Sequence, residues 1–227
     1  MFKNVIQSCR TSVPGFVISA ALAVYEQWNL QEFCWSFWIC GLLYCWCCVV
    51  AGCIRILLPS GRESLVRMIA EKEPLRFMQA VPQSAVLPAM ACLSCIIGWL
   101  AFYAYSYLFS FYGLFLSVFA EMEPFSLFGR NGFINSDFFT PATYLAERYW
   151  PMALGSVIAD RAYLLRSSPW KLLLKPFSRQ IVVIHIAVLT MPFVTLLCWM
   201  LFKEAYQPLT MIFLLAVFYF FPGRRTE

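Results

Sequence analysis

Apolar residues in this chain come in long blocks. Residues 33–54, 84–120 and 181–202 carry no Asp, Glu, Lys or Arg. Each block reaches or exceeds the roughly 20 apolar residues that cross a bilayer core. Shorter apolar runs cover 13–28 and 206–222. The blocks predict an all-α fold: a polytopic helical membrane protein forming one integral membrane domain over 1–227, with no linker to separate a second.

The 84–120 block decides the expected architecture. As one helix at 1.5 Å per residue it would be about 55 Å long, against a hydrocarbon core of about 30 Å. Tilt absorbs only part of such a mismatch. The reading that follows is two short helices, 84–101 and 104–120, turning near Ala101–Ser106 with Tyr103, Tyr105 and Tyr107 at an interface. Together with 13–28/33–57 and 181–202/206–222 this makes six transmembrane helices as three hairpins. Sixteen of the 17 basic residues then lie on one side, with Lys203 opposite. A four-helix arrangement, with 84–120 as a single crossing, divides them at best 11 to 6. A five-helix arrangement lays 13–25 in the interface. Basic residues mark the cytoplasmic side, so three hairpins with both termini cytoplasmic are expected, in a bacterial inner membrane.

Between the blocks lie two polar segments, both expected to be cytoplasmic. In 59–80, Glu63–Arg67 and Arg67–Glu71 stand at i,i+4, with Leu65, Met68 and Ile69 on one face, which predicts a short surface helix ending before Pro74. In the larger loop, 121–180, Thr140 before Pro141 and Ser168 before Pro169 read as helix N-caps followed by proline at the first helical position. "GRNG" at 129–132 reads as a turn.

Composition agrees with membrane burial: 61% of residues are hydrophobic and only 13% charged, where a soluble domain carries about a quarter. The net charge of +5 is accounted for by topology and calls for no nucleic-acid partner. The N-terminal run has no small-residue cleavage site before Glu26 and is read as retained.

Candidate chemistry centres on cysteine. Six of the ten cysteines, with three tryptophans, fall within residues 34–53. At 100° per residue, Cys34, Cys45 and Cys48 share a face with Gly41 and Gly52, while Cys40 and Cys47 point elsewhere and Cys53 lies with Trp35, Leu42, Trp46 and Val49. Zinc needs four ligands converging on one point, which cysteines spread over several faces of one helix do not supply. The pattern instead makes a stripe of small residues (Gly41, Cys45, Cys48, Gly52) suited to close helix packing in lipid. Cys92 and Cys95 form a CxxC pair that, in a thiol oxidoreductase, would do disulfide exchange. Against it, Cys92 continues a second small-residue stripe from Ala85 and Ala89, and no second exposed cysteine pair is there to relay electrons.

His185, Glu26 and Arg55 fall near predicted helix ends. Glu121, Glu123, Asp137, Glu147 and Asp160 show no metal-ligand spacing, and Asp160–Arg161 reads as a solvated face. Nucleotide-binding loops and the short hydrolase motifs are absent, and no cofactor is called for. In 168–180, Trp170, Leu173, Leu174 and Phe177 alternate at helical spacing with Lys171, Lys175 and Arg179. That pattern suits a helix, kinked at Pro176, that lies on an anionic lipid surface with tryptophan and leucine in the acyl boundary.

The functional expectation is a non-enzymatic interaction protein, working with other membrane proteins or by self-association. Such a protein could be an accessory of conjugation or secretion machinery, or an exclusion or immunity factor. A membrane thiol-disulfide oxidoreductase and a passive channel or small transporter are the alternatives.

Overall fold

A computed structural model describes residues 2–58, 83–119, 139–174, 179–203, 210–213 and 215–216. The predicted 59–80 helix and the 129–132 turn lie outside them. Seven helices are bounded: α1 (Phe2–Tyr25), α2 (Leu30–Leu57), α3 (Gln83–Phe119), α4 (Phe139–Ala159), α5 (Arg161–Arg166), α6 (Pro169–Leu174) and α7 (Arg179–Phe202). Residues 210–213 and 215–216 are helical as well, and no strand occurs among the described residues. The fold is all-α. Two helical stretches, Gln31–Leu57 and Pro88–Val118, are long and apolar enough to cross a membrane.

Two expectations are corrected here. The 84–120 block is a single unbroken helix, α3, with no turn at Ala101–Ser106. The local reason is plain: AFYAYS contains neither glycine nor proline, so nothing frees a backbone group from the i→i−4 ladder. Bilayer thickness limits how much apolar helix lipid can cover, but it does not break one. Thr140 is not a cap either, because α4 starts at Phe139 and Pro141 sits within its first turn, where a missing N–H costs no hydrogen bond. The Ser168–Pro169 reading holds. Pro169 opens α6, and Ser168 Oγ accepts the Lys171 N–H at 3.3 Å, the N-cap bond to the third helical residue.

The chain divides into two compact units. One contains 1–44, 106–162 and 177–227, the other 45–105 and 163–176. In the first, α1 packs along α4, and α2 buries an aromatic block of Phe33, Trp35, Phe37 and Trp38. Trp38 Nε1 donates to the Phe109 carbonyl of α3 at 2.7 Å, which satisfies the indole inside an apolar interior. From α4, Leu145, Tyr149, Met152, Ala153 and Ser156 are buried.

The second unit has its core at Val49, Ile56, Met90, Ala101 and Leu173, with Cys53, Ile97, Phe102, Tyr105 and Trp170 against it. Here α2 and α3 run antiparallel: Trp46 stacks on Phe102 at 4.6 Å, while Cys53 meets Ser94.

Candidate functional site

The sharp turn between α1 and α2 is built by backbone rules. The Trp28 N–H donates to the Ala23 carbonyl at 3.0 Å and the Gln27 N–H to that of Val24 at 3.3 Å, with Gln27 left-handed at φ 52°. This is a Schellman close, with glutamine in the place glycine usually takes. A capping box then opens α2. Asn29 Oδ1 accepts the Glu32 N–H at 2.7 Å, and Glu32 Oε2 accepts the Asn29 N–H at 3.0 Å. The two orphan donors are satisfied reciprocally.

The second carboxylate oxygen of Glu32 receives Arg148 Nη2 of α4 at 2.8 Å. Arg148 Nε lies 3.9 Å from Glu26, whose carboxylate also accepts Trp28 Nε1 at 2.9 Å. Trp28 meets Tyr149 edge-on at 4.8 Å. Tyr149 is fully buried, and its hydroxyl has no hydrogen-bond partner among the described residues. Charged and aromatic groups thus clasp the start of α2 to α4.

The clasp begins a register. Glu32–Arg148, Cys40–Ser156 and Tyr44–Asp160 are each 116 residues apart in sequence, so α2 and α4 run parallel over this stretch. Cys40 Sγ lies 3.2 Å from Ser156 Oγ and points at the Met152 carbonyl at 3.6 Å. The Tyr44 hydroxyl donates to Asp160 Oδ2 at 2.6 Å. This corrects the reading of Asp160–Arg161 as merely a solvated face: the carboxylate of Asp160 is tied into the α2 surface.

The small-residue positions of α2 fall as follows. Gly41, Cys45, Cys48 and Gly52 are all buried. A Cβ on Gly52 would stand 2.8 Å from Leu173 Cγ and 3.2 Å from the Pro169 carbonyl oxygen, so only glycine lets α6 seat there. A position that the sequence did not reveal is Gly98, where a Cβ would overlap Cys53 Sγ. Around it Cys53 Sγ donates to the Ser94 carbonyl at 3.5 Å, and Ser94 Oγ donates back to the Cys53 carbonyl at 3.4 Å. These reciprocal bonds pin α2 to α3.

The surface reading of 168–180 is altered. Leu172 and Leu173 are fully buried, and Trp170 packs against the core of the second unit. Tyr105 donates to the Leu173 carbonyl at 2.9 Å. Leu173 thus faces protein, lying on Gly52 of α2, while Trp170 is only half-buried. Lys171 is exposed, with Nζ 5.7 Å from the centre of the Tyr163 ring. Arg179 opens α7, and Lys175 lies outside the described residues. Arg55 caps this corner, its guanidinium donating to the carbonyls of Leu164, at 3.2 Å, and Ser167.

Cys92 and Cys95 are free thiols on the exposed side of α3. No group of three or more His, Cys, Asp or Glu among the described residues is placed to hold a metal ion. What has been assembled is a set of helix clamps. The chain matches no protein-family model, no curated protein and no solved structure.

Proposed function

We propose that the chain is an integral membrane protein that acts through protein contacts, as an accessory component of a membrane assembly. One observation carries the membrane reading: α3 and α7 expose long rows of apolar side chains. On α3, Leu93, Ile96, Trp99, Leu100, Tyr103 and Tyr107 are exposed. On α7, Phe193, Leu196, Leu197, Trp199 and Leu201 are exposed. Patches of this length on a water-facing surface would drive aggregation. In lipid they are the ordinary exterior of a membrane-spanning helix.

The crossings we propose are revised from three hairpins. The α2–α3 pair crosses and returns, and α4 with its continuation travels parallel to α2. With α1, α7 and the 206–222 run this again makes six. The side holding the α2 C-terminus is then the basic one. Arg130, Arg148 and Lys203 stand opposite, Arg161 lies within the span, and the other 13 basic residues are cytoplasmic. That bias favours this orientation.

Alkaline carbonate extraction tests the first claim: the chain should stay in the membrane pellet. Native gel electrophoresis after mild solubilisation tests the second, because the chain should migrate in a larger complex whose size Cys92→Ser leaves unchanged. Loss of a thiol-exchange activity in that variant would favour the oxidoreductase reading instead.

A further inference from the structure

We infer that this protein pairs with a second copy of itself along α3, through the stripe Cys92, Ile96, Trp99 and Tyr103, with the two Tyr103 hydroxyls hydrogen-bonded to each other. The inference rests on the membrane reading above. It starts from the depth of Tyr103, which lies at the middle of the Pro88–Val118 stretch. A second marker agrees. Arg55 ends the uncharged part of α2, and Cys53, just before it, donates to the Ser94 carbonyl of α3 at 3.5 Å. The hydrocarbon boundary therefore falls near Ser94. Tyr103 stands about 14 Å further along the helix, and half a hydrocarbon core is about 15 Å.

Tyr103 is 61% exposed, and its hydroxyl makes no hydrogen bond among the described residues. Leu93 and Leu100, also exposed on α3, need nothing more than acyl chains around them. A phenolic hydroxyl at the centre of the bilayer does. Lipid tails offer it no acceptor, and leaving it unpaired there is costly. The headgroups are out of reach, because a tyrosine side chain is shorter than half the core. Trp99 stacks on the Tyr103 ring at 5.9 Å and covers one ring face without answering the hydroxyl.

The surface around Tyr103 suits a second copy. Cys92, Ile96, Trp99 and Tyr103 are all exposed. They follow one another at spacings of four, three and four residues, the seam of a left-handed helix pair, and fall within about 60° of arc. The stripe is turned away from Ser94 and Gly98, which α2 covers. A tyrosine hydroxyl both donates and accepts. A two-fold axis along the membrane normal sets equal depths opposite each other, so the stripe meets itself and each Tyr103 supplies what the other lacks. A different partner would have to carry a polar group to that depth. A second copy brings it by symmetry.

The test uses the full chain in phosphatidylethanolamine–phosphatidylglycerol liposomes, with donor- and acceptor-labelled copies diluted stepwise in lipid. Energy transfer should persist on dilution for the unmodified chain. Tyr103→Phe should weaken association by about threefold to tenfold, with helix content by circular dichroism unchanged. In a chain with Cys9, Cys47, Cys92, Cys95 and Cys198 replaced by alanine, Ile96→Cys should form a symmetric disulfide dimer on oxidation. Ala104→Cys, exposed near the same depth but about 100° round the helix from Tyr103, should not. A monomer at every dilution would overturn the inference. So would a dimer indifferent to Tyr103→Phe, or one that cross-links at Ala104 and not at Ile96. Release of the chain by carbonate would instead remove the membrane reading itself, so the two failures are distinguishable.

Discussion

Gln27 carries the sharpest local consequence. It occupies the left-handed position of the Schellman close at φ 52°, where a side chain costs roughly 1 kcal/mol relative to glycine. Gln27→Gly should raise thermal stability in detergent by a few tenths to about 1 kcal/mol, net of the entropy that glycine adds to the unfolded chain. Tyr149 makes the opposite point. Its ring packs on Trp28, while its buried hydroxyl has no partner among the described residues. Tyr149→Phe should therefore be neutral or slightly stabilising, since it removes an unsatisfied polar group and keeps the packing. A loss of more than about 1 kcal/mol would mean that the hydroxyl holds an ordered water or ligand. Glu32 serves as both cap and ion-pair partner. Glu32→Gln keeps the capping geometry and tests only the Arg148 pair, which is part-exposed and worth about 0–1 kcal/mol.

At the scale of helices, close approach governs. Replacing Gly98 by leucine drives a side chain into Cys53 and breaks the reciprocal Cys53–Ser94 bonds. Overpacking of this kind costs about 1–3 kcal/mol, and Gly52→Leu should do the same by unseating Leu173. Cys48→Ala, which removes one atom from a buried site, should be nearly neutral, while Cys48→Leu should not. Melting temperatures of the four purified variants in one detergent check the order. The common face of Gly41, Cys45, Cys48 and Gly52 was legible because helical angles alone put these small residues on one side, whatever that side meets. Gly98 was not, because its meaning comes from Cys53 on another helix. The length of α3 was misread for a different reason: thickness matching governs how lipid accommodates a helix, whereas continuity depends on local breakers, and 101–106 has none. The placing of Trp170 and Leu173 was also beyond reach, because an amphipathic pattern looks the same whether its apolar side meets lipid or Gly52.

For the whole molecule, the parallel register of α2 and α4 yields a sidedness prediction that separates the two topologies. If 121–180 were a cytoplasmic loop, Thr143 would share a side with Leu58, at the end of α2, and oppose Gln27. The structure ties Arg148 to Glu26 and Glu32 and runs α4 parallel to α2, so Thr143, five residues before Arg148, lies beyond the α2 start. Gln27 and Thr143 are both exposed, as is Leu58. Single cysteines at these positions, on a cysteine-free background, should therefore divide two against one. Gln27→Cys and Thr143→Cys should react with an impermeant maleimide added outside intact cells, and Leu58→Cys only after permeabilisation. The basic residues that follow α2 and α4 make this orientation the favoured one. A Thr143→Cys protected together with Leu58→Cys would return 121–180 to the cytoplasm. It would then require the Glu32–Arg148 clasp to be absent in the membrane. Arg148→Ala distinguishes the two cases, because it should lower stability only where the clasp exists.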